Sequence, residues 1–314
     1  MVIPLCLLYA YIPAVMGSQE KSWITGKRDW RRRRLRPLFS SICILTVIHL
    51  QYPAAAQKNH LTANSMTLHD RVAIVTGASR GIGKAIAIAL AGEGARVVVA
   101  ARTFRELPVI AGSIETTAEE IRSGGGSALA FKTDVTRETS VAGMVEKTLA
   151  EWGRIDILVN NAATNFPACF HEMPQKHWDR ILEVNLRGTV LCTRAVLPAM
   201  MRQQQGHIIN ISSVVTQKLH HKPFTGIAYD VTKAAINRLT LGLAEELKQY
   251  AIAVNALMPD NTESEGWAFL NPEADRSGWD PPAIWGSYAA LVAALDPASF
   301  TGHLLLKQDL EALR

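Results

Sequence analysis

The stretch RVAIVTGASRGIG, residues 71–83, decides the fold of this chain. An apolar run rich in β-branched residues, typical of a buried strand, leads into a glycine-rich loop, and helical periodicity follows in residues 83–94. The glycines permit a tight turn and a close approach of the backbone to a phosphate, and free N–H groups at a helix start favour an anion. A glycine loop between a strand and a helix predicts a site for the pyrophosphate of a dinucleotide. The candidate contacts are Gly77, Ser79, Arg80, Gly81, Ile82 and Gly83.

Strand-like and helix-like segments alternate outward from this stretch, through residues 66–314. Short apolar segments recur at residues 95–101, 155–161, 207–213, 252–258 and 303–306, with a weaker one at 128–135. Helical periodicity fills the gaps, for example as one long helix at residues 177–203. Apolar strands that alternate with helices predict a parallel sheet covered on both faces. We therefore predict an α/β fold with a single doubly wound Rossmann-type parallel sheet and helices on both faces.

The positive charge of the chain is unevenly placed. Residues 1–65 carry nine Lys or Arg and two Asp or Glu, whereas the remaining residues carry 24 basic and 26 acidic side chains. The predicted domain therefore offers no general electrostatic basis for binding nucleic acid. The four cysteines are far apart in sequence, and no Cys/His cluster has the spacing of a zinc site. We expect neither a disulfide framework nor a metal site.

Residues 1–65 differ in composition from the rest and form a leader in our interpretation. Two apolar segments, residues 1–17 and 38–50, flank the basic stretch RDWRRRRLR, and each is shorter than the roughly 18 residues of a spanning helix. Three interpretations stay open: an export signal, a membrane-surface anchor, and a segment upstream of a true start at Met66. We favour the last, and we expect protein that begins at Met66 to fold as the full chain does.

The end of the second predicted strand indicates which dinucleotide binds. About 20 residues past such a glycine loop, an acidic side chain would bind the adenosine ribose of NAD. Here the strand ends in Ala100, Ala101 and Arg102, without a carboxylate. Arg102, together with Arg80 of the loop, is suited to hold the 2′-phosphate of NADP through charge-assisted hydrogen bonds. We therefore favour NADP over NAD; the alternative is that the two arginines are simply solvated.

Four motifs in order resemble those of the short-chain dehydrogenase/reductase family. They are TGASRGIG at residues 76–83, NNAA at 160–163, NISS at 210–213 and YDVTK at 229–233. The resemblance extends from about residue 68 to residue 306. The insertion at residues 107–126 and the ending at residues 299–310 further resemble the hydroxysteroid-dehydrogenase-like branch of the family.

The resemblance implies roles for individual residues. The implied catalytic residues are Ser213, with Ser212 as the alternative serine, Tyr229, Lys233 and Asn185, the last in a water-mediated proton relay. The implied cofactor contacts are Asp134, Val135, Asn161, Ala162, Tyr229, Lys233 and Pro259. Asp260 follows Pro259 where the family usually has glycine. Aspartate tolerates the left-handed conformation better than most residues, so we expect cofactor binding to be kept, with the contacts of this loop left open.

The chemistry of the YDVTK segment agrees with these implied roles. Tyr229 and Lys233 are four residues apart, so on a helix they project from the same face. Hydride transfer to a carbonyl places negative charge on oxygen, which needs a proton donor. A nearby ammonium would lower the pKa of the Tyr229 phenol, and Ser213 would hold the substrate oxygen.

The predicted function is NADP-dependent hydride transfer between the cofactor and a carbonyl or secondary alcohol. An enoyl-thioester reductase and a non-catalytic NADP-binding regulatory protein are the alternatives. Lys218, His220, His221 and Lys222 lie between the catalytic serine and tyrosine. They would attract an anionic substrate, although we favour an ordinary solvated basic loop. The family resemblance implies a cytoplasmic homo-oligomer, either a dimer or a tetramer, that acts on a small molecule.

Overall fold

A parallel β-sheet lies at the centre of the described chain. The computed structural model describes residues 67–106, 111–217, 226–270, 272–273 and 275–314. The expectations for residues 1–65 and for the basic positions 218–222 therefore lie outside the described residues. The strands are β1 (Val72–Thr76), β2 (Arg96–Ala101), β3 (Ser127–Lys132), β4 (Ile157–Asn160), β5 (Gly206–Ile211), β6 (Ile252–Leu257) and β7 (Leu304–Leu305).

The strand order confirms the predicted doubly wound sheet. The described strands are ordered β3-β2-β1-β4-β5-β6-β7, and each neighbouring pair is parallel. The direction of winding reverses between β1 and β4. In sheets of this kind, ligands bind in the crevice that opens at that point, outside the carboxyl ends of the strands.

Helices cover both faces of the sheet. They are α1 (Gly81–Gly92), α2 (Ile114–Ser123), α3 (Glu138–Trp152), α4 (Gln175–Ile181), α5 (Gly188–Gln203), α6 (Ile227–Leu247), α7 (Glu265–Leu270), α8 (Pro282–Ala294) and α9 (Lys307–Glu311). Ala73 and Val75 of β1 pack with α1, α2 and α8, whereas Ile74 points to the opposite core with α3, α5 and α6. None of the described helices is long and apolar enough to span a bilayer.

Three helical regions differ from the sequence-based expectation. Residues 177–203 do not form one regular helix, because a π-helical segment, Leu182–Arg187, separates α4 from α5. The insertion at residues 107–126 contains α2, which Ser113 caps by accepting a hydrogen bond from Thr116 N at 3.1 Å. Helix α8 is buried on nearly all sides, so its sequence lacks the periodicity that would have revealed it.

Hydrogen bonds between the loops after β1 and β4 shape the glycine loop. Thr76 Oγ1 accepts hydrogen bonds from the backbone N–H groups of Asn161 and Ala162, at 3.0 and 3.1 Å. The side-chain amide of Asn161 donates to the carbonyls of Thr76 and Gly77, at 3.0 and 3.1 Å. A Cβ at position 83 would overlap this amide and the Gly77 carbonyl, so the position requires glycine. Gly77 itself has a φ of 66°, which favours glycine as well.

A buried carboxylate joins the strands at the opposite edge of the sheet. Asp156, which is 1% exposed, accepts a hydrogen bond from Val72 N at 2.9 Å. It also accepts two from the guanidinium of Arg154, at 2.8 and 2.6 Å, and one from Arg71 at 3.3 Å. Its backbone carbonyl accepts from His207 N at 2.8 Å. These contacts fix the amino ends of β1, β4 and β5 relative to one another.

We predict that Gly83→Ala lowers the free energy of unfolding by about 1–3 kcal/mol, because the added methyl group collides with the Asn161 amide. Gly92→Ala at the end of the same helix is the matched control, since nothing lies within 4 Å of a methyl group there. That control should be neutral or stabilising by up to about 1 kcal/mol. Denaturant unfolding of both variants measures the difference, and equal stabilities would contradict the assigned loop packing.

Candidate active site

A cleft of about 720 Å³ opens at the carboxyl edge of the sheet and gathers most of the predicted site residues. Those that line it are Gly77, Ser79, Arg80, Gly81, Ile82, Gly83, Arg102, Asp134, Val135, Asn161, Ala162, Ser212, Ser213, Tyr229, Lys233 and Pro259. Asn185 is the one predicted site residue that does not line the cleft. The cleft thus brings together residues that are up to 182 positions apart in sequence, from Gly77 to Pro259.

The glycine loop is suited to hold the diphosphate of a dinucleotide. Gly81 begins α1 with a φ of 55°, and an added Cβ there would lie 3.0 Å from Ser264 Cβ. The side chain of the N-cap residue Arg80 does not cap this helix. The Gly81 N–H instead donates to the Glu265 carboxylate at 2.9 Å, so this helix start accepts an anion. The glycine backbone and this helix start, which already binds one carboxylate, therefore fit a diphosphate.

Arg80 and Arg102 both line the cleft, next to the glycine loop and the end of β2. The Arg80 guanidinium donates to the carbonyls of Ala111 and Gly112, both at 2.9 Å, which fastens the insertion before α2 to the glycine loop. Arg102 is exposed at the end of β2. Sequence reasoning predicted that both arginines face the cofactor, but it missed the two carbonyl partners of Arg80, since nothing local indicates them.

Asp134 and Val135 follow β3 on the same side of the cleft. Asp134 Oδ1 accepts hydrogen bonds from the backbone N–H and the hydroxyl of Thr136, at 3.0 and 2.8 Å. Burial raises the pKa of the Asp134 carboxyl, but these hydrogen bonds and the nearby charges of Arg180 and Arg102 lower the pKa below its usual value overall. Asp134 is therefore ionised at neutral pH.

The two adjacent serines of the NISS motif point to different partners. Ser213 forms a side-chain hydrogen bond with Tyr229 and caps the short 3₁₀ turn Val214–Thr216. Ser212 Oγ donates to the backbone carbonyl of Lys233 at 3.3 Å. Ser213 is thus the serine that lies against the tyrosine hydroxyl, while Ser212 fastens the end of β5 to α6.

Tyr229 and Lys233 lie on the same face of α6, as their spacing predicted. Lys233 Nζ is 5.2 Å from the centre of the Tyr229 ring and donates to the Ile211 carbonyl at 2.6 Å. Lys233 is 2% exposed, and burial lowers the pKa of its ammonium to about 8. The group is therefore still mainly protonated at neutral pH.

The pKa of the Tyr229 hydroxyl is raised, not lowered as predicted, because burial is the largest influence on it; the contribution of Lys233 itself stays a prediction. Burial raises the pKa of the Tyr229 hydroxyl, the Asp230 charge raises it further, and the hydrogen bond with Ser213 only partly opposes them. The physical reason is that the phenolate would lose hydration in the dense surroundings of the hydroxyl. Tyr229 is consequently a protonated phenol at neutral pH, which is the form that donates a proton.

Asn185 supports the cleft from behind its wall. It is fully buried in the π-helical segment, and its side chain accepts from Thr164 N at 2.8 Å and donates to Thr164 O at 3.0 Å. It also donates to Thr232 Oγ1 at 3.1 Å, and that hydroxyl donates to the Tyr229 carbonyl at 2.7 Å. Asn185 therefore ties the loop after β4 to the helix turn that carries the tyrosine. Its part in a proton relay stays a prediction.

Buried asparagines also link the central strands to the helices behind them. Asn160 donates to Thr193 Oγ1 at 3.0 Å and to Asn210 Oδ1 at 2.9 Å. Asn210 in turn donates to Thr240 Oγ1 at 2.9 Å. Because Asn160 and Asn210 are paired in register on β4 and β5, this chain of bonds fixes α5 and α6 to the strands that end at the cleft.

The segment after β6 contains the residues that sequence reasoning missed. Trp267 and Phe269 of α7 line the cleft, and Glu265 contacts its glycine loop. Only the irregular composition of residues 259–282 hinted at them. Asp260 does not use the left-handed conformation, since its φ is not positive. Its carboxylate instead accepts from Asn261 N at 2.9 Å and so stabilises the turn locally.

Comparisons with known proteins agree with this geometry. A sequence profile described as short chain dehydrogenase matches residues 71–275. Hydroxysteroid dehydrogenase-like protein 2 of Homo sapiens is 41% identical over 242 residues, which are 75% of this chain and 56% of that protein. An uncharacterized oxidoreductase of Staphylococcus saprophyticus is 36% identical over 234 residues, 74% of this chain and 94% of that protein. The chain thus spans between 37% and 56% of the length of the hydroxysteroid dehydrogenase-like relatives.

Solved structures give the same result. A short-chain type dehydrogenase/reductase from Mycobacterium marinum is 31% identical with a TM-score of 0.70, over 77% of this chain and 96% of that one. A metagenomic short-chain oxidoreductase in complex with NADP is 34% identical with a TM-score of 0.64, over 76% of this chain and 97% of that one. The chain therefore belongs to the short-chain dehydrogenase/reductase family of oxidoreductases, where it is similar to the hydroxysteroid dehydrogenase-like proteins.

Proposed function

We propose that this protein transfers a hydride between NADP and a carbonyl or secondary alcohol substrate, with Tyr229 as the proton donor. The observation that carries this proposal is the contact of Tyr229 with Ser213 and Lys233 in the cleft that also holds the glycine loop. A nicotinamide nucleotide supplies or accepts the hydride when it is bound. The remaining chemistry belongs to side chains of this chain.

The Tyr229 hydroxyl gives its proton to the substrate oxygen as negative charge develops there. Burial keeps the phenol protonated at neutral pH, and the same burial makes any stabilising charge more effective because water screens it less. The Lys233 ammonium lies 5.2 Å from the ring centre. Its positive charge stabilises the negative charge that the phenol acquires on giving up the proton. Ser213 is hydrogen-bonded to the same phenol, and its hydroxyl proton points to the Pro259 carbonyl at 3.4 Å. When a substrate binds, this proton turns from the carbonyl to the substrate oxygen and fixes its position.

NADP is the cofactor we propose, rather than NAD. Arg102 follows β2 at the place where an acidic residue would bind the ribose of NAD. Arg80 lines the same cleft. Both guanidinium groups are permanent cations that suit a 2′-phosphate. The metagenomic relative in complex with NADP supports this choice by similarity.

The direct test is a screen of purified protein for NADPH oxidation against ketones, aldehydes and enoyl thioesters. Turnover of ketones or aldehydes supports the proposal. Turnover restricted to enoyl thioesters contradicts it and favours the enoyl reductase, and tight NADPH binding without any turnover favours a regulatory protein. The substrate found in this screen serves the variants below.

We predict that Arg102→Ala weakens NADPH binding by about 1.5–3 kcal/mol, the value of a charge-assisted hydrogen bond, and leaves NADH binding nearly unchanged. Arg105→Ala is the matched control, because Arg105 is an exposed arginine three positions away that does not line the cleft. Titrations of both nucleotides give the dissociation constants. Equal losses for NADPH and NADH would show that Arg102 does not recognise the 2′-phosphate.

Tyr229→Phe should reduce the turnover rate by roughly 10²–10⁴, because it keeps the ring but removes the proton donor. Folding should survive, which circular dichroism and NADPH binding would verify. Tyr250→Phe, near the far end of the long helix, removes a hydroxyl outside the cleft and should leave turnover unchanged. Near-normal turnover by Tyr229→Phe would refute the proposed proton donor.

The paired variants Ser213→Ala and Ser212→Ala separate the two candidate serines. We expect Ser213→Ala to lower turnover by roughly 10²–10³, as the loss of a donor to a developing oxyanion does. Ser212→Ala removes a bond to the Lys233 backbone only and should cost less than about tenfold. Steady-state kinetics decide, and the reverse ranking would assign the catalytic role to Ser212.

A further inference from the structure

Helix α7 touches the glycine loop through a carboxylate. Glu265, the first residue of α7, accepts a hydrogen bond from the Gly81 N–H at 2.9 Å, although the two residues are 184 positions apart. Ser264 approaches the same glycine closely, since an added Cβ on Gly81 would lie 3.0 Å from Ser264 Cβ. The start of α7 is thus docked on the start of α1.

The Gly81 N–H is one of the donors that a bound diphosphate would use. The first N–H groups of α1 have no partner within the helix and carry its positive end, so they attract phosphate oxygens. A carboxylate and a diphosphate on adjacent donors would repel each other. Glu265 and the cofactor therefore compete for the Gly81 N–H, and binding of one disfavours the docked position of the other.

The same helix carries part of the substrate wall. Trp267 and Phe269, two and four positions after Glu265, line the cleft. The backbone N–H of Trp267 donates to Ser264 Oγ at 3.2 Å, so the aromatic side chains and the Glu265 carboxylate belong to one short turn. On either side of α7, Thr262 and Asp280 pair as an isolated β-bridge, and Asp280 forms an ion pair with Lys307 at 2.6 Å. Displacing Glu265 would therefore displace the two aromatic side chains of the same short helix.

We propose that Glu265 is an internal competitor of the cofactor diphosphate that couples nucleotide binding to the position of the Trp267–Phe269 wall. When the diphosphate takes the Gly81 N–H, Glu265 leaves it and α7 undocks from the glycine loop. This inference rests on the proposed nucleotide-dependent function.

Three variants separate the hydrogen bond from the charge. Glu265→Gln removes the charge, and Glu265→Asp keeps the charge on a side chain one methylene shorter that does not reach Gly81. Glu263→Gln removes an exposed carboxylate two positions earlier and is the matched control. Dissociation constants for NADPH and for inorganic diphosphate are measured by titration. Hydrogen exchange of residues 261–270 is measured on the full chain before and after NADPH or inorganic diphosphate is added.

We expect Glu265→Gln and Glu265→Asp to bind NADPH about two- to fivefold more tightly than the wild type, which is the value of a carboxylate at an exposed helix start. Without nucleotide, residues 265–270 should exchange faster in both variants than in the wild type, and NADPH should accelerate this exchange only in the wild type. Glu263→Gln should match the wild type in both measurements.

Equal NADPH affinity, or equal exchange of residues 265–270, in the wild type and Glu265→Gln would overturn the competition while leaving the proposed function intact. Tighter binding by Glu265→Gln and Glu263→Gln alike would also overturn it, since charge alone would then be the cause. If the wild type binds neither NADPH nor NADH, the proposed function fails instead. The exchange comparison with inorganic diphosphate then still decides whether Glu265 docks α7.

Discussion

The hydrogen bonds from the Asn161 amide to the carbonyls of Thr76 and Gly77 hold together the two loops that meet where the sheet reverses its winding. They leave no room for a side chain at position 83, so the backbone of the glycine loop lies directly over the start of α1. The register of β4 with β5 pairs Asn160 with Asn210, and that pairing places the NISS motif beside the same cleft. The glycine loop and the NISS motif are therefore positioned by hydrogen bonds of two adjacent residues, Asn160 and Asn161.

Much of the fold was predictable because its signals are local. Each predicted apolar segment became a strand, and the YDVTK spacing placed Tyr229 and Lys233 on one helical face. The parts that sequence reasoning missed depend on distant contacts. The partner of Glu265 is a backbone N–H on another helix, and the periodicity of α8 is hidden because both of its sides are buried. The direction of the pKa shift at Tyr229 depends on burial, which no motif displays.

Ser212 and Ser213 illustrate how two identical side chains acquire different environments. They follow β5 in extended backbone, where successive side chains point in opposite directions. One hydroxyl bonds to the α6 backbone and the other to the tyrosine on that helix. The two serines together therefore hold the α6 backbone and the Tyr229 hydroxyl against the end of β5. A one-residue shift in this strand would exchange the two environments.

The Asp156 cluster lies at the amino edge of the sheet, whereas the loops that line the cleft lie at the carboxyl edge. The bonds that align β1, β4 and β5 at that edge do not involve the residues that line the cleft. A substitution in the segment that carries Trp267 and Phe269 therefore leaves these bonds untouched. Selection for a new substrate can act on that segment while the ancestral scaffold is inherited unchanged.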